Sequence, residues 1–223
     1  VATERAGDGL VHRVPAALRA FATDHADRVL RHKFVQWVFF SQWHETRRMA
    51  NERGIHIIGD MPIFVSLDSA DVWAHQQVFM LEDGKPLFVA GVPPDYFSPT
   101  GQLWGNPLYD WEIMARDGFS WWRRRFEVAF RLYDFVRIDH FRGFESYWGV
   151  PAGSPDAATG RWVKAPGDAL FSAMRAHFGD LPVIAEDLGI ITDDVTALRE
   201  RHGFPGMKVL QFAFGETVHH PFL

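Results

Sequence analysis

Three short apolar runs in this chain each close on an acid: GIHIIGD at 54–60, FVRID at 135–139 and LPVIAED at 181–187. An apolar run without polar alternation reads as a strand buried on both faces, the condition of a parallel sheet covered by helices. In a parallel sheet the carboxyl ends of all strands lie on one rim, so Asp60, Asp139, Glu186 and Asp187 are expected to gather there. GMKVLQFAFG at 206–215 reads as a fourth strand of the same set.

The segments between these runs supply helices and long loops. From about Pro15 to Arg53 the spacing is helical, with Phe34, Trp37, Val38 and Ser41 on one face and Gly54 placed to end the helix. WEIMARDGFSWWRRRFEVAFRLYD is helical with a break near Gly118, residues 167–178 form another helix, and ITDDVTALRERHG forms one opened by Thr192 and closed by Gly203. Residues from about Met61 to Asp110 are too rich in Pro, Gly, Asp and Ser for a helix. Within them VFMLEDGKPLFVAG reads as a hairpin turning at Asp83-Gly84. GVPPDYFSPTGQLWGNPLYDW at 91–111 reads as a long loop of the kind that serves as a lid or binding loop, and a further small hairpin is expected around Gly160. Strand, loop and helix in repetition make an α/β fold. Acids at the strand ends favour a (β/α)8 TIM-type barrel over a doubly wound sheet, and about four of its eight strands are present, so the barrel is partial. No linker or internal repeat divides residues 1–223, which read as part of one barrel domain with a lid-like subdomain loop at about 61–110.

Composition narrows the chemistry. A formal net charge of −5 with both signs interspersed offers neither a basic face for nucleic acid nor a basic cluster for a membrane. The absence of cysteine excludes a disulfide framework and thiolate metal sites and fits a reducing compartment, so a cytoplasmic location is the expectation. The first residues do not form a signal peptide, and no stretch has the apolar length that a bilayer requires. Nine Trp and twenty Phe admit two readings, core filling or the stacking of indole faces on sugar rings.

Two carboxylates roughly 5 to 5.5 Å apart on one rim are what a retaining glycosidase or transglycosylase needs. Asp139 and Glu186, at the ends of consecutive strands, are the candidates for nucleophile and acid/base; the plain alternative is that such acids cap the next helix. Arg137, two positions before Asp139 and thus on the same side of the strand, is expected to keep Asp139 ionised. The apolar run before Glu186 is expected to raise its pKa toward that of a working acid. Asp60 is a strand-end cap or a hydroxyl-binding carboxylate, and spacing alone leaves both open. Trp104 and Tyr96 either pack beneath their loop or stack on sugar. His140, His219 and His220 lack the spacing of a metal site, and no glycine-rich turn cradles a phosphate.

Taken together, GIHIIGDMPIFVSLDSADVWA, GVPPDYFSPTGQLWGNPLYDW, FVRIDHFRGFESYWGVPAG, VIAEDLGIIT and GFPGMKVLQFAF resemble, in order, the signature blocks of the amylomaltase family of 4-alpha-glucanotransferases, relatives of the α-amylase superfamily. The resemblance implies a (β/α)8 barrel that moves α-1,4-glucan segments between maltooligosaccharides through a covalent glucosyl-enzyme, with no metal or organic cofactor. It implies Asp139 as nucleophile and Glu186 as acid/base, with Arg137, His140, Asp60 and Asp187 contacting sugar. Tyr96, Phe97, Gln102 and Trp104 fall in a block similar to the family's lid over the acceptor side. The family's third carboxylate block and first barrel strands have no counterpart in this sequence, so the resemblance implies that those segments would be this chain's partners and that the 223 residues alone are inactive. A glucan hydrolase of the same superfamily and a non-catalytic glucan-binding unit are the competing readings.

Overall fold

The structure, a computed structural model, describes residues 8–95 and 98–214. A short helix α1 (Asp8–Val11) leads into α2 (Pro15–Asp24), which has proline in its first turn, and the long α3 (Ala26–Asn51). Gly54, at φ +72°, lies just beyond α3. Of the apolar residues expected on one helical face, Phe34 and Trp37 remain exposed and Val38 is half-buried, and Leu30 is exposed as well.

What anchors α3 is polar. Arg47 donates through Nε and Nη2 to one oxygen of Asp134, at 2.9 and 2.7 Å, and through Nη1 to the carbonyls of Phe130 and Arg131. The other oxygen of Asp134 accepts from the Asn51 amide at 2.8 Å and the Ile57 backbone N–H at 2.7 Å. One carboxylate therefore ties a helix to the strand that follows it.

The strands come in two sheets. β1 (Ile58–Pro62) is followed by α4 (Ala70–Ala74), whose N-cap Ser69 accepts from Val72 N–H. β2 (Leu81–Glu82) and β3 (Lys85–Pro86) form the expected hairpin, with Asp83 and Gly84 both at positive φ as a tight primed turn demands. β4 (Phe88–Val92) and β5 (Gln102–Pro107) follow, then α5 (Trp111–Arg116), capped by Asp110, and α6 (Ser120–Leu132). Gly118 breaks these helices at φ +68°. α6 buries Trp121, Trp122, Phe126 and Ala129, the helical stripe that faces a core. β6 (Phe135–Asp139), β7 (Ser146–Pro151), β8 (Arg161–Lys164), α7 (Gly167–Phe178), β9 (Val183–Ala185) and α8 (Asp193–Arg201) complete the order.

β1, β6 and β9 form a parallel sheet with β6 at its centre, and Val136 and Ile138 of β6 are fully buried. β5, β4, β7 and β8 form an antiparallel sheet in that order, with β7 and β8 making the hairpin expected around Gly160. Part of the stretch read as a loop at 91–111 is thus strand. Gly91 permits the close approach of β4 and β5, because a Cβ there would stand 2.5 Å from the Gln102 carbonyl oxygen.

Two expectations are corrected. Residues 206–214, the described part of the run read as a fourth strand, do not form a parallel strand: 206–209 are irregular and Leu210–Ala213 is a 3-10 turn. Beside β9 the ladder stops at one bond, Ala185 N–H to the Pro205 carbonyl, because Pro205 has no N–H to return and the Met207 N–H goes to the Asp187 side chain. Thr192 sits at the N-cap of α8, but its side chain accepts no capping hydrogen bond.

Desolvation works to raise the pKa of Asp134, yet the Ile57 N–H, the Asn51 amide and Arg47 outweigh it and bring it down from 3.8 to about 2. A depressed carboxylate stabilises the fold above its unfolded pKa and loses that contribution as pH falls from 3.8 toward 2. Asp134→Asn is expected to cost about 1–2 kcal/mol in urea melts at neutral pH, with the gap to wild type closing toward pH 2. A gap that persists unchanged into acid would contradict the charge-based account.

Candidate active site

The parallel register places Asp60 of β1 opposite Arg137 of β6, and Pro62 opposite Asp139. Arg137 bridges the two acids, with Nη1 2.6 Å from Asp60 Oδ1 and Nη2 2.6 Å from Asp139 Oδ1. Burial opposes the charge on Arg137, but the Asp60 hydrogen bond and the charges of Asp139 and Asp60 overcome it, so its pKa is raised. Asp139 keeps 44% of its side chain exposed, and Asp60 59%. Both carboxylates therefore stay open to a ligand while one cation holds them.

Glu186 arrives on the same rim one residue past β9. Its N–H donates to Ile138 O at 3.0 Å and its carbonyl accepts from Phe141 N–H at 3.1 Å, so the backbone locks its Cα beside the end of β6. Its carboxylate accepts from the N–H of His140 at 2.8 Å on Oε2 and from that of Leu188 at 3.0 Å on Oε1. His140 stands in the left-handed region at φ +53°, uncommon for a residue with a side chain, at the turn that offers its N–H to Glu186. Each carboxyl oxygen has two lone pairs, so one on each remains for a proton or a substrate.

A cleft of about 210 Å³ opens beside Asp139, lined by Pro62, Phe64, Trp104, Asn106 and His140 among others. That is below the roughly 300 Å³ at which pockets for drug-sized ligands begin, so it suits one part of a longer ligand. Trp104, on β5, sets its ring edge to face against His140 with centroids 4.8 Å apart and donates from Nε1 to the Gln102 side-chain oxygen at 3.1 Å. The antiparallel sheet thereby reaches the rim of the parallel one. Burial of the imidazole, with the nearby Arg142 charge adding, lowers the His140 pKa from 6.5 to about 4, and its Nε2 has no hydrogen-bond partner among the described residues.

The structure thus gathers Asp60, Arg137, Asp139, His140 and Glu186, with Trp104 and Gln102 at the edge. Asp187 turns elsewhere: Oδ1 accepts from Met207 N–H at 2.8 Å and Oδ2 lies 3.1 Å from Arg199 Nε. Tyr96, Phe97, His219 and His220 lie outside the described residues. Sequence reasoning missed Asn106, which lines the cleft, and Met207, whose Sδ lies 3.2 Å from Arg137 Nε. Met207 was legible only as part of an apolar run; Asn106 stands two residues after Trp104 in a strand mistaken for loop. Among the described residues no group of three potential metal ligands is gathered, and no helix is long and apolar enough to cross a membrane.

Comparison with known proteins shows the family of the chain. A family model described as 4-alpha-glucanotransferase matches residues 4–223. The chain is 58% identical over 212 residues to the 4-alpha-glucanotransferase of Thermus thermophilus, covering 95% of this chain and 42% of that protein. It is 53% identical over 215 residues to that of Streptococcus pneumoniae, covering 95% and 43%. Its fold superimposes on amylomaltase from Streptococcus agalactiae in complex with acarbose with a TM-score of 0.91 and 42% identity, over 96% of this chain and 43% of the other. The chain spans about two fifths of the length of the curated relatives it matches.

Neutral His140 has a consequence for pH. The unfolded chain takes up a proton near 6.5 while the folded site resists until about 4, so the His140 contribution to stability is present above 6.5 and is lost on acidification through that window. Histidine NMR should place the His140 midpoint near 4; a midpoint near 6.5 would contradict a desolvated ring.

Proposed function

Because the chain belongs to the 4-alpha-glucanotransferase family, we propose that it carries the carboxylate pair of a retaining transglycosylase acting on α-1,4-glucans such as maltooligosaccharides. The observation that carries the reading is the Arg137 bridge, which holds Asp139 on the same rim as Glu186.

In the first step Asp139 attacks the anomeric carbon of the donor glucan from one face as Glu186 gives its proton to the departing glycosidic oxygen. The products are a covalent glucosyl-enzyme and a shortened glucan with a free 4-hydroxyl. In the second step Glu186, now a carboxylate, takes the proton of an acceptor 4-hydroxyl as that oxygen attacks the anomeric carbon and releases Asp139. Two inversions retain the configuration. Arg137 holds the Asp139 carboxylate through Nη2, and the backbone amides of His140 and Leu188 fix the direction of the Glu186 carboxyl. Asp60, beside the same guanidinium, is suited to hold a donor-side hydroxyl, and neutral His140, its Nε2 buried, lines the cleft in which the sugar would lie.

Trp104 and Gln102 lie on the acceptor side, where a cover that excludes water favours transfer over hydrolysis. The chemistry as written draws on no metal or organic cofactor. The exposed apolar side of α3 and the outer edges of β1 and β9 support a further part of the reading: other barrel segments of the same protein cover them and complete the site.

The test is incubation with maltotriose and chromatography of the products. A chain that includes the completing segments should give a ladder of glucose, maltose and longer maltooligosaccharides, and Asp139→Asn or Glu186→Gln should reduce its rate by about a thousandfold or more. Glucose and maltose without longer products would point to hydrolysis instead, and an undiminished ladder from Asp139→Asn would sink the assignment of the nucleophile. The 223 residues by themselves are expected to give no ladder, because transition-state positioning is incomplete without the remaining groups.

A further inference from the structure

Arg137 uses all three of its nitrogens. Nη1 and Nη2 take the two carboxylates, and Nε points at the thioether of Met207, 3.2 Å away. The guanidinium is a rigid plane. Two contacts through the Nη atoms leave it free to rock about the line joining them, and a third on the Nε side fixes the tilt. A thioether suits that third place: it accepts weakly and carries no charge, so it satisfies the donor without drawing the cation off Asp139 and Asp60.

Met207 is carried on an irregular segment rather than a strand, so something must hold it. Its N–H donates to Asp187 Oδ1 at 2.8 Å, and Asp187 Oδ2 is paired with Arg199 of α8 at 3.1 Å. Arg199 also donates to the Phe204 carbonyl at 3.1 Å and accepts from the Phe204 N–H at 3.0 Å, while Ala185 N–H holds the Pro205 carbonyl at 2.9 Å. Gly206 is required for the fit: a Cβ there would stand 2.4 Å from Asp187 Oδ2. Asp187 and Arg199 expose only 16% and 21% of their side chains, which fits a fixed internal pair better than a sugar ligand.

We infer that Met207 is a positioning residue for Asp139, held by the Asp187–Arg199 pair so that its thioether sets the plane of the guanidinium that grips the nucleophile. Asp187 then acts through Met207 and Arg137 without touching sugar. The inference rests on the transglycosylase reading for its kinetic consequences and on the hydrogen-bond geometry alone for its effect on Asp139.

The experiment compares wild type, Met207→Leu and Met207→Gln in the longest form of the protein that carries this sequence, by NMR hydrogen exchange at the Arg137 Nε–H, turnover of maltotriose and thermal melting. Leucine conserves volume but removes the acceptor. It should speed hydrogen exchange at the Arg137 Nε–H about tenfold and lower kcat about tenfold, with KM within about twofold of wild type. Glutamine, whose carbonyl oxygen can accept from Nε, should recover most of both. A Met207→Leu protein with the wild-type Nε–H exchange rate and kcat would overturn the inference, as would a loss that glutamine does not recover and that tracks a lowered Tm. Absence of turnover in wild type would overturn the enzyme reading instead, and the Arg137 exchange rates would still decide the positioning role.

Discussion

The site hangs on one guanidinium held between two strands. Arg137 reaches both Asp60 and Asp139 because β1 and β6 run parallel with Asp60 opposite Arg137 and Pro62 opposite Asp139. Side chains alternate along a strand, so a slip of one residue would turn Arg137 away from the rim. Val136 and Ile138, fully buried between the residues that face the site, resist that slip. Core packing and the electrostatics of the rim are in this sense the same constraint: the alternate residues of a five-residue strand supply one each.

The second organising element is aromatic. The Tyr109 hydroxyl donates to the Ile63 carbonyl at 2.5 Å, and its ring packs against Phe64, Phe79, Trp121 and Trp122 with centroids 5.3 to 5.8 Å apart. It joins the turn after β1 to α6 and to the end of β5. The same network sorts the tryptophans by role. Trp111, Trp121 and Trp122 are buried in the core, whereas Trp104 is partly exposed at the cleft against His140. Core filling, one of the two readings of an aromatic-rich sequence, thus accounts for Trp111, Trp121 and Trp122, and Trp104 stands apart from them at the cleft.

Local signals made much of this legible. The apolar runs ending on acids marked the three parallel strands, with the bounds of β6 matched and those of β1 and β9 displaced by a few residues. Asp83-Gly84 marked its turn because two successive positive φ angles favour those residue types, and Gly118 marked the break between α5 and α6. The antiparallel sheet escaped because pairing β4 with β7 joins residues some sixty positions apart and its strands are short and bounded by proline, so no local period reveals it. Residues 206–215 misled for a related reason. Their apolar pattern is that of a strand, but an aspartate from β9's own exit takes the Met207 amide that a ladder would need. The carboxylate rim was readable from sequence; the hydrogen bonds that orient Glu186 and Arg137 were not, because they come from backbone amides and a thioether that carry no motif.

The most direct test of the account is to trap the covalent intermediate. Glu186→Gln in the longest form of the protein would be treated with an α-maltosyl fluoride, whose leaving group departs without proton transfer, and the glycosylated peptide located by mass spectrometry. The account predicts an ester on Asp139, formed as fluoride leaves and persisting because no base remains to activate an acceptor. An adduct on Asp60, or fluoride release with no adduct on the Asp139 peptide at any time, would contradict it.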